Sequence, residues 1–167
     1  MRLKNLINRA ALVGVTVIST ITALEAGGTI TPKTVVATTT KPGQYCLSND
    51  VGTYDAIRRG SKRLVVVVKA FRPATPASAG LVVSLLTADK TRKHELTQFA
   101  VHPLRAFSAN ELNRQQRFLV SLEEYAYLLS ENNPICVELG FDASRSKLAG
   151  GWVEFYVEWV DRAGGEY

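Results

Sequence analysis

The chain has 167 residues, of which 46% are hydrophobic and 21% are charged, and its formal net charge is +5. This composition is that of an ordinary globular protein, and the length suits one domain. A chain of this size buries a substantial core, which excludes a small scaffold that needs a metal or disulfide to fold. The modest basic balance is compatible with a polyanionic partner but is too small to establish one.

The first 32 residues form an N-terminal segment that we expect to lie outside the folded domain. Arg2, Lys4 and Arg9 precede an apolar run from Ala10 to Ala23. This order is typical of a secretory signal peptide, with cleavage after Ala23 or Ala26. The run contains several hydroxyl residues and is too short and too polar for a good membrane span.

The same segment also fits a basic amphipathic arm, because apolar residues recur there at helical spacing while the basic residues lie off that face. The apolar positions are Leu3, Leu6, Ile7 and Ala10. A Thr-rich polar stretch, residues 27–43, follows, and we interpret it as a tether that leads into the domain. Both interpretations of the N-terminus stay open.

From residue 33 to residue 162 the turn residues and apolar runs predict an all-β domain. The first long strand, 63–71, has valine on both faces, so we expect it to be central in its sheet. Pro73, Pro76 and Gly80 exclude regular structure in the stretch that follows. The further predicted strands are 81–88, 96–104, 117–122 and 134–141.

Two Ser/Glu pairs, Ser108 with Glu111 and Ser121 with Glu124, have the spacing of a helix capping box. The second pair predicts a short helix over 122–129.

The segment 150–160 predicts a closing strand whose side chains alternate between two faces. Val153, Phe155, Val157 and Trp159 point to one side, and this face suits a core. Trp152, Glu154, Tyr156 and Glu158 point to the other. The second face fits either a contact with a partner or the solvated side of an edge strand.

Six to eight strands, one or two short helices and no internal repeat predict an antiparallel β-sandwich of jelly-roll type over residues 33–162. Residues 163–167 would form a C-terminal tail. The absence of βαβ alternation argues against a parallel Rossmann-like sheet.

The residues that most often carry catalysis are few and scattered. His94 and His102 belong to no recognisable catalytic or metal-binding motif, so we expect no enzymatic activity, no cofactor and no metal. Cys46 and Cys136 are too far apart for a CxxC site. They fit one long-range disulfide or two buried thiols, and the choice depends on the compartment.

The order of these elements resembles the coat proteins of small icosahedral plant RNA viruses of the bromovirus and cucumovirus kind. The resemblance covers about residues 62–162 and includes KRLVVVVKAFRPATPASAGLVVSLL, FAVHPLRAF, SLEEYAYLL and the closing WVEFYVEWVDR. The chain departs from that family at the N-terminus, where a dense Arg/Lys arm is replaced by three basic residues and an apolar run.

The resemblance implies a structural capsid protein that assembles with copies of itself around RNA, in the host cytoplasm, to form a virion. No small-molecule substrate is expected. The subunit interface would use Trp152, Glu154, Tyr156 and Glu158. The residues expected to bind RNA phosphates without sequence specificity are Arg2, Lys4, Arg9, Arg58, Arg59, Lys62, Arg63, Arg92 and Lys93.

The alternative is a secreted or periplasmic β-sandwich that binds or supports other molecules without catalysis. A cleaved signal peptide and a Cys46–Cys136 disulfide would then define it.

Overall fold

The structure is a computed structural model and describes residues 32–131, 133–142 and 148–162. Two four-stranded antiparallel sheets, one α-helix and two 3₁₀ helices account for its regular elements in those ranges. The elements are β1 Val35–Thr38, β2 Gly43–Leu47, α1 Val51–Arg58, β3 Lys62–Arg72, β4 Gly80–Leu86, β5 Lys93–Ala100, a 3₁₀ helix Leu112–Arg114, β6 Gln116–Val120, a 3₁₀ helix Glu123–Leu128, β7 Ile135–Phe141 and β8 Trp152–Asp161.

The strand order confirms the predicted jelly-roll sandwich. Sheet A has the order β1-β8-β3-β6, and sheet B has the order β2-β7-β4-β5. The chain crosses between the sheets at nearly every connection, and β4 and β5 alone follow each other within one sheet. Eight strands in two sheets with these crossings are the arrangement of a jelly roll.

The core lies between the two sheets and is built from alternate residues of each strand. Phe71 of β3 and Phe155 of β8 are fully buried, and Leu81 and Leu139 fill the sheet B side. The alternation predicted for β8 is confirmed, since Val153, Phe155 and Val157 are buried and Trp159 packs against the core.

The expectation that the long valine strand is central is confirmed, because β3 lies between β8 and β6. The interpretation of the closing strand as an edge strand is wrong, because β8 lies between β1 and β3. The polar face of β8 therefore lies in the middle of the outer surface of sheet A.

The tether interpretation of residues 27–43 is wrong for residues 35–38, which form β1. This strand pairs with β8, for example Val35 with Phe155 and Ala37 with Val153. The threonines around the short apolar run made it look like a polar linker, whereas its pairing partner lies far along the chain.

Helix α1 was not predicted, because its sequence has weak apolar periodicity and buries one residue, Ile57. Its start is fixed locally: the Asp50 carboxylate accepts the Thr53 N–H at 2.6 Å. Such a cap stabilises a helix N-terminus without leaving an apolar pattern.

Of the two capping-box predictions, the Ser108–Glu111 pair is in contact, whereas Ser121 does not cap the second helix, whose N-cap is Leu122. Glu111 accepts the Ser108 N–H at 2.8 Å, but one 3₁₀ turn follows. The predicted helix 122–129 is the 3₁₀ helix Glu123–Leu128, and Leu122 before it is fully buried.

A disulfide joins Cys46 of β2 to Cys136 of β7. The two residues are direct cross-strand partners in the register of sheet B, with their Cα atoms 4.0 Å apart. Cys46 is exposed on the outer side of the sheet, and Cys136 is 4% exposed. The bond ties the edge strand β2 to the interior of its sheet.

Truncation of Phe155 to alanine is expected to lower the free energy of unfolding by about 3–5 kcal/mol, because a fully buried ring leaves a cavity. Urea titration followed by tryptophan fluorescence measures the change. Leu119→Ala is the control, because the Leu119 side chain is 54% exposed. An equal loss in both variants would contradict the assigned core.

Replacing both cysteines (Cys46→Ser with Cys136→Ala) is expected to lower the free energy of unfolding by about 2–4 kcal/mol, because the bridge closes a long loop. Guanidinium unfolding with and without reductant provides the measurement. Two thiols that react with a thiol reagent in the native, unreduced protein would disprove the bridge.

Candidate interaction face

The outer side of sheet A is the surface on which the predicted interface residues lie, and we call it the sheet A face. β8 presents alternate residues there because its other residues fill the core. Neighbouring strands add the residues that are paired with them in register. The face includes Trp152, Glu154, Tyr156 and Glu158 from β8, Val65, Val67, Ala70 and Arg72 from β3, Val36 and Thr38 from β1, and Arg117 and Leu119 from β6.

The sheet A face has an apolar floor although it points away from the core. Val65 is 4% exposed and Val67 is 1% exposed, and they lie directly opposite Glu158 and Tyr156 in the register. The larger side chains around these valines therefore exclude water from them. Valine is favoured in strands by its β-branched side chain, and here the covering side chains add burial to that preference.

Exposed aliphatic side chains flank this floor on both sides. Val36 on β1 and Leu119 on β6 are each 54% exposed. Trp152 and Tyr156 add two half-buried aromatic rings to the face, and the register places the carboxylates of Glu154 and Glu158 among these apolar groups.

Charged groups on the face are held in defined positions. Arg117 donates to Glu158 across β3, and the two form an ion pair. The Thr34 hydroxyl donates to Glu154 at 2.7 Å. The carboxylates therefore have fixed directions, which favours specific pairing with a partner over non-specific contact.

The pKa of the Tyr156 phenol reflects the burial and the charges that surround it on the sheet A face. Burial raises the pKa of its phenol, the Glu158 carboxylate raises it further, and Arg117 partly opposes these effects. The phenol thus stays neutral at physiological pH and presents both a ring and a hydroxyl to the surface. Tyrosine with this amphipathic character is favoured at protein interfaces.

The predicted RNA-binding residues within the described ranges lie at one end of the sandwich, which we call the helical end. The β2–β3 connection with α1, the β4–β5 turn and the β6–β7 connection all meet there. Arg58, Arg59 and Arg92 are exposed at this end. Arg2, Lys4 and Arg9 lie outside the described residues.

The other three basic residues are more constrained. Lys62 forms an ion pair with Asp161 at 3.1 Å, and Lys93 forms one with Glu138 at 3.3 Å. Arg63 is partly buried, and its Nε has no hydrogen-bond partner. The cationic groups that this end can offer to phosphates therefore include its three exposed arginines, exposed Lys90 and Lys93, whose side chain is 65% exposed.

The turn that carries Arg92 is organised around Asp89. Its carboxylate accepts hydrogen bonds from the Thr87 hydroxyl at 2.5 Å and from the Thr91 hydroxyl at 2.7 Å. These bonds, led by the one from Thr87, lower the pKa of Asp89 to about 2. The ionised carboxylate of Asp89 lowers the net positive charge of the turn that carries Arg92.

The sequence analysis missed Val36, Arg117 and Leu119 as parts of the sheet A face. Val36 lies in the segment interpreted as a tether, so no strand was predicted there. Arg117 and Leu119 alternate with buried or half-buried Phe118 and Val120, and this alternation is the signal that could have assigned them outward.

Within the described ranges, no three His, Cys, Asp or Glu side chains are grouped so that they could bind a metal ion. In the same part of the chain, no helix has the length and apolar character needed to cross a membrane.

No protein-family model matches the chain, and comparisons with curated proteins and with solved structures give no match.

The Glu158→Gln substitution is expected to lower the pKa of Tyr156 towards its ordinary value of 10.0, because it removes the negative charge and frees Arg117. Burial remains, so the pKa stays above that value. An NMR titration of tyrosine labelled at Cζ provides the measurement, with exposed Glu124→Gln as the control. A rise in the pKa would contradict the geometry.

The shifted pKa of Tyr156 also makes the free energy of unfolding depend on pH, because proton binding and folding are thermodynamically linked. The pKa of Tyr156 is higher in the folded than in the unfolded chain, so its contribution is complete below about pH 10 and is lost as the pH rises through the folded value. The Glu158→Gln variant should show a weaker loss over that alkaline window.

Proposed function

We propose that this chain is a non-enzymatic structural protein that assembles with copies of itself into a capsid shell around RNA. The observation that carries the proposal is the sheet A face, where aromatic and aliphatic side chains surround an apolar floor in the middle of a rigid sheet. The jelly-roll strand order supports it by analogy, since viral capsid proteins are among the proteins that use this fold. A fold alone does not define a function, so the face is the stronger support.

In such a shell many identical subunits meet through repeated contacts. Trp152 and Tyr156 would act as aromatic anchors, because buried aromatic residues dominate the binding energy of interfaces. Glu154 would pair with a basic group of a neighbouring subunit. Arg117 and Glu158 would lie beside the anchors and keep the contact in register.

The helical end would meet the RNA. Arg58, Arg59 and Arg92 are each exposed at that end, and contacts with phosphates need cationic groups but no defined base readout. Since bound cations are released from the RNA in such contacts, assembly should weaken steeply as salt increases.

A second candidate function is favoured by the disulfide. Disulfides persist mainly in oxidising compartments, and Cys46 is exposed to any cellular reductant. The chain would then be an exported β-sandwich that binds another protein through the sheet A face. The signal-like N-terminal segment agrees with this candidate.

The double substitution Trp152→Ala/Tyr156→Ala is expected to prevent particle formation and to leave the monomer folded. Truncation of one anchor costs on the order of 2 kcal/mol at each interface, and the core side of β8 is unchanged. Sedimentation velocity with RNA at low and high salt compares the variant with the parent protein. Leu112→Ala is the control, because Leu112 is a large apolar residue that is 74% exposed in the β5–β6 connection, outside both the sheet A face and the helical end.

A parent protein that stays monomeric with RNA would overturn the capsid proposal. The intact mass of the protein purified from its native source separates the two candidates. A complete N-terminus supports the capsid subunit, whereas a chain that begins at Leu24 or Gly27 supports the exported protein.

A further inference from the structure

Arg72 is a cationic residue of the sheet A face that has no partner among the described residues. It lies directly opposite Trp152 in the register of β3 and β8, and cross-strand partners share one side of a sheet. The residue is exposed, and its guanidinium group forms no hydrogen bond or ion pair with any described residue. The face therefore carries a positive charge there that is available to another molecule.

Glu154 is the complementary group, and its carboxylate is held on one side of β8. One carboxylate oxygen accepts the Thr34 hydroxyl at 2.7 Å, and within the described ranges the group has no cationic partner. Thr34 directly precedes β1, so this bond draws the carboxylate towards β1. Arg72 lies on β3, at the other side of β8. The Thr34 bond therefore holds the carboxylate away from the strand that carries Arg72.

The second outward carboxylate of β8 is held in the opposite direction. Glu158 forms its ion pair with Arg117 of β6, on the side of β8 that lies away from β1. Because the two carboxylates turn to opposite sides, the line along β8 is left to Trp152 and Tyr156. Like charges that face each other oppose association. Two copies of β8 can therefore face each other through aromatic rings without bringing their carboxylates together.

Two-fold symmetry determines which groups of a second copy would meet across such a contact. An axis that runs along β8, in the plane of the contact, places the β1 side of one copy over the β3 side of the other. The second copy's Glu154 then comes to the level of Ala70, its partner in the register. Ala70 has a small side chain and leaves room there. Arg72 is the next outward residue of β3, roughly 7 Å further along the strand, which is within the reach of an arginine side chain.

We propose that the sheet A faces of two copies pack against each other about a two-fold axis along β8, with Glu154 of each copy paired to Arg72 of the other. This inference rests on the proposed self-assembly and names a contact that it uses. The contact contains the pair twice, so identical copies are complementary in charge. Charge pairs placed in this way fix the register of an interface and exclude other orientations.

The test compares charge-reversal variants of the full-length protein by sedimentation velocity, under the conditions in which the parent protein assembles. Glu154→Arg and Arg72→Glu are each expected to weaken association by roughly a hundredfold, because each brings like charges together twice in the contact. An equimolar mixture of the two variants should associate like the parent protein, because every pair then joins opposite charges. An Arg72–Glu154 pair within one chain would gain nothing from mixing.

Two controls repeat the same charge changes at exposed positions outside the face. They are Arg105→Glu in the β5–β6 connection and Glu124→Arg in the second 3₁₀ helix, and both should assemble like the parent protein. Full assembly of either single variant, or no recovery in the mixture, would overturn the proposed contact and leave self-assembly intact. Recovery by a mixture of Arg72→Glu with Glu158→Arg instead would also overturn it. A parent protein that stays monomeric would reject the proposed function itself.

Circular dichroism shows whether each variant keeps its fold. If Glu154→Arg does not, Glu154→Gln takes its place, because the glutamine oxygen can still accept from Thr34. It is then combined with Arg72→Gln in a double-mutant cycle. The double variant should assemble about as weakly as either single variant, since both changes remove the same pair, whereas additive losses would reject the pair.

Discussion

The pairing of β8 with both β1 and β3 is the constraint on which the rest of the structure depends. β8 is aligned with β3 from Lys62 opposite Asp161 to Arg72 opposite Trp152, with one irregularity near Lys69. This register determines which side chains of both strands enter the core. A shift by one residue would turn Phe155 outward and bury Glu154, which is why the register is strongly specified. The same pairing places β1, the first strand of the chain, beside β8, the last.

The two outer faces of the sandwich differ in chemistry because their central strands differ in sequence. In sheet A, β3 has valine on both sides, so its outward positions, Val65 and Val67, form an apolar floor. In sheet B, β4 places Ser84 at the corresponding central position, and charged residues of β5 and β7 surround it. One outer face is therefore partly apolar, and the other is polar and charged. Because side chains alternate along each strand, one set of residues fills the shared core while the other set forms the outer faces.

The sequence predicted the fold class and the long strands well, because β3, β4, β7 and β8 combine apolar runs with clear turn residues. It failed where stability comes from distant partners or from single polar contacts. β1 is four residues long and is defined by its pairing with β8, while α1 begins at an Asp50 cap and has little apolar periodicity. For the sheet A face, alternation within β8 identified four residues. The buried valines and the flanking Val36 and Leu119 depend on which strands become neighbours, and one strand's pattern does not contain that information.

The disulfide has a different meaning for each proposed function. β2 is an edge strand, so the backbone of β7 holds it on one side, and the other support comes from packing. That packing is close at Gly43, where a Cβ atom would lie 2.9 Å from both Phe155 and Val35. Tyr45 and Leu47 also pack against the core. A capsid subunit that assembles in a reducing cytoplasm must keep β2 in place through these contacts alone, whereas an exported protein has the covalent bond as well. The strength of the packing at Gly43, Tyr45 and Leu47 therefore determines whether the same fold can serve in both compartments.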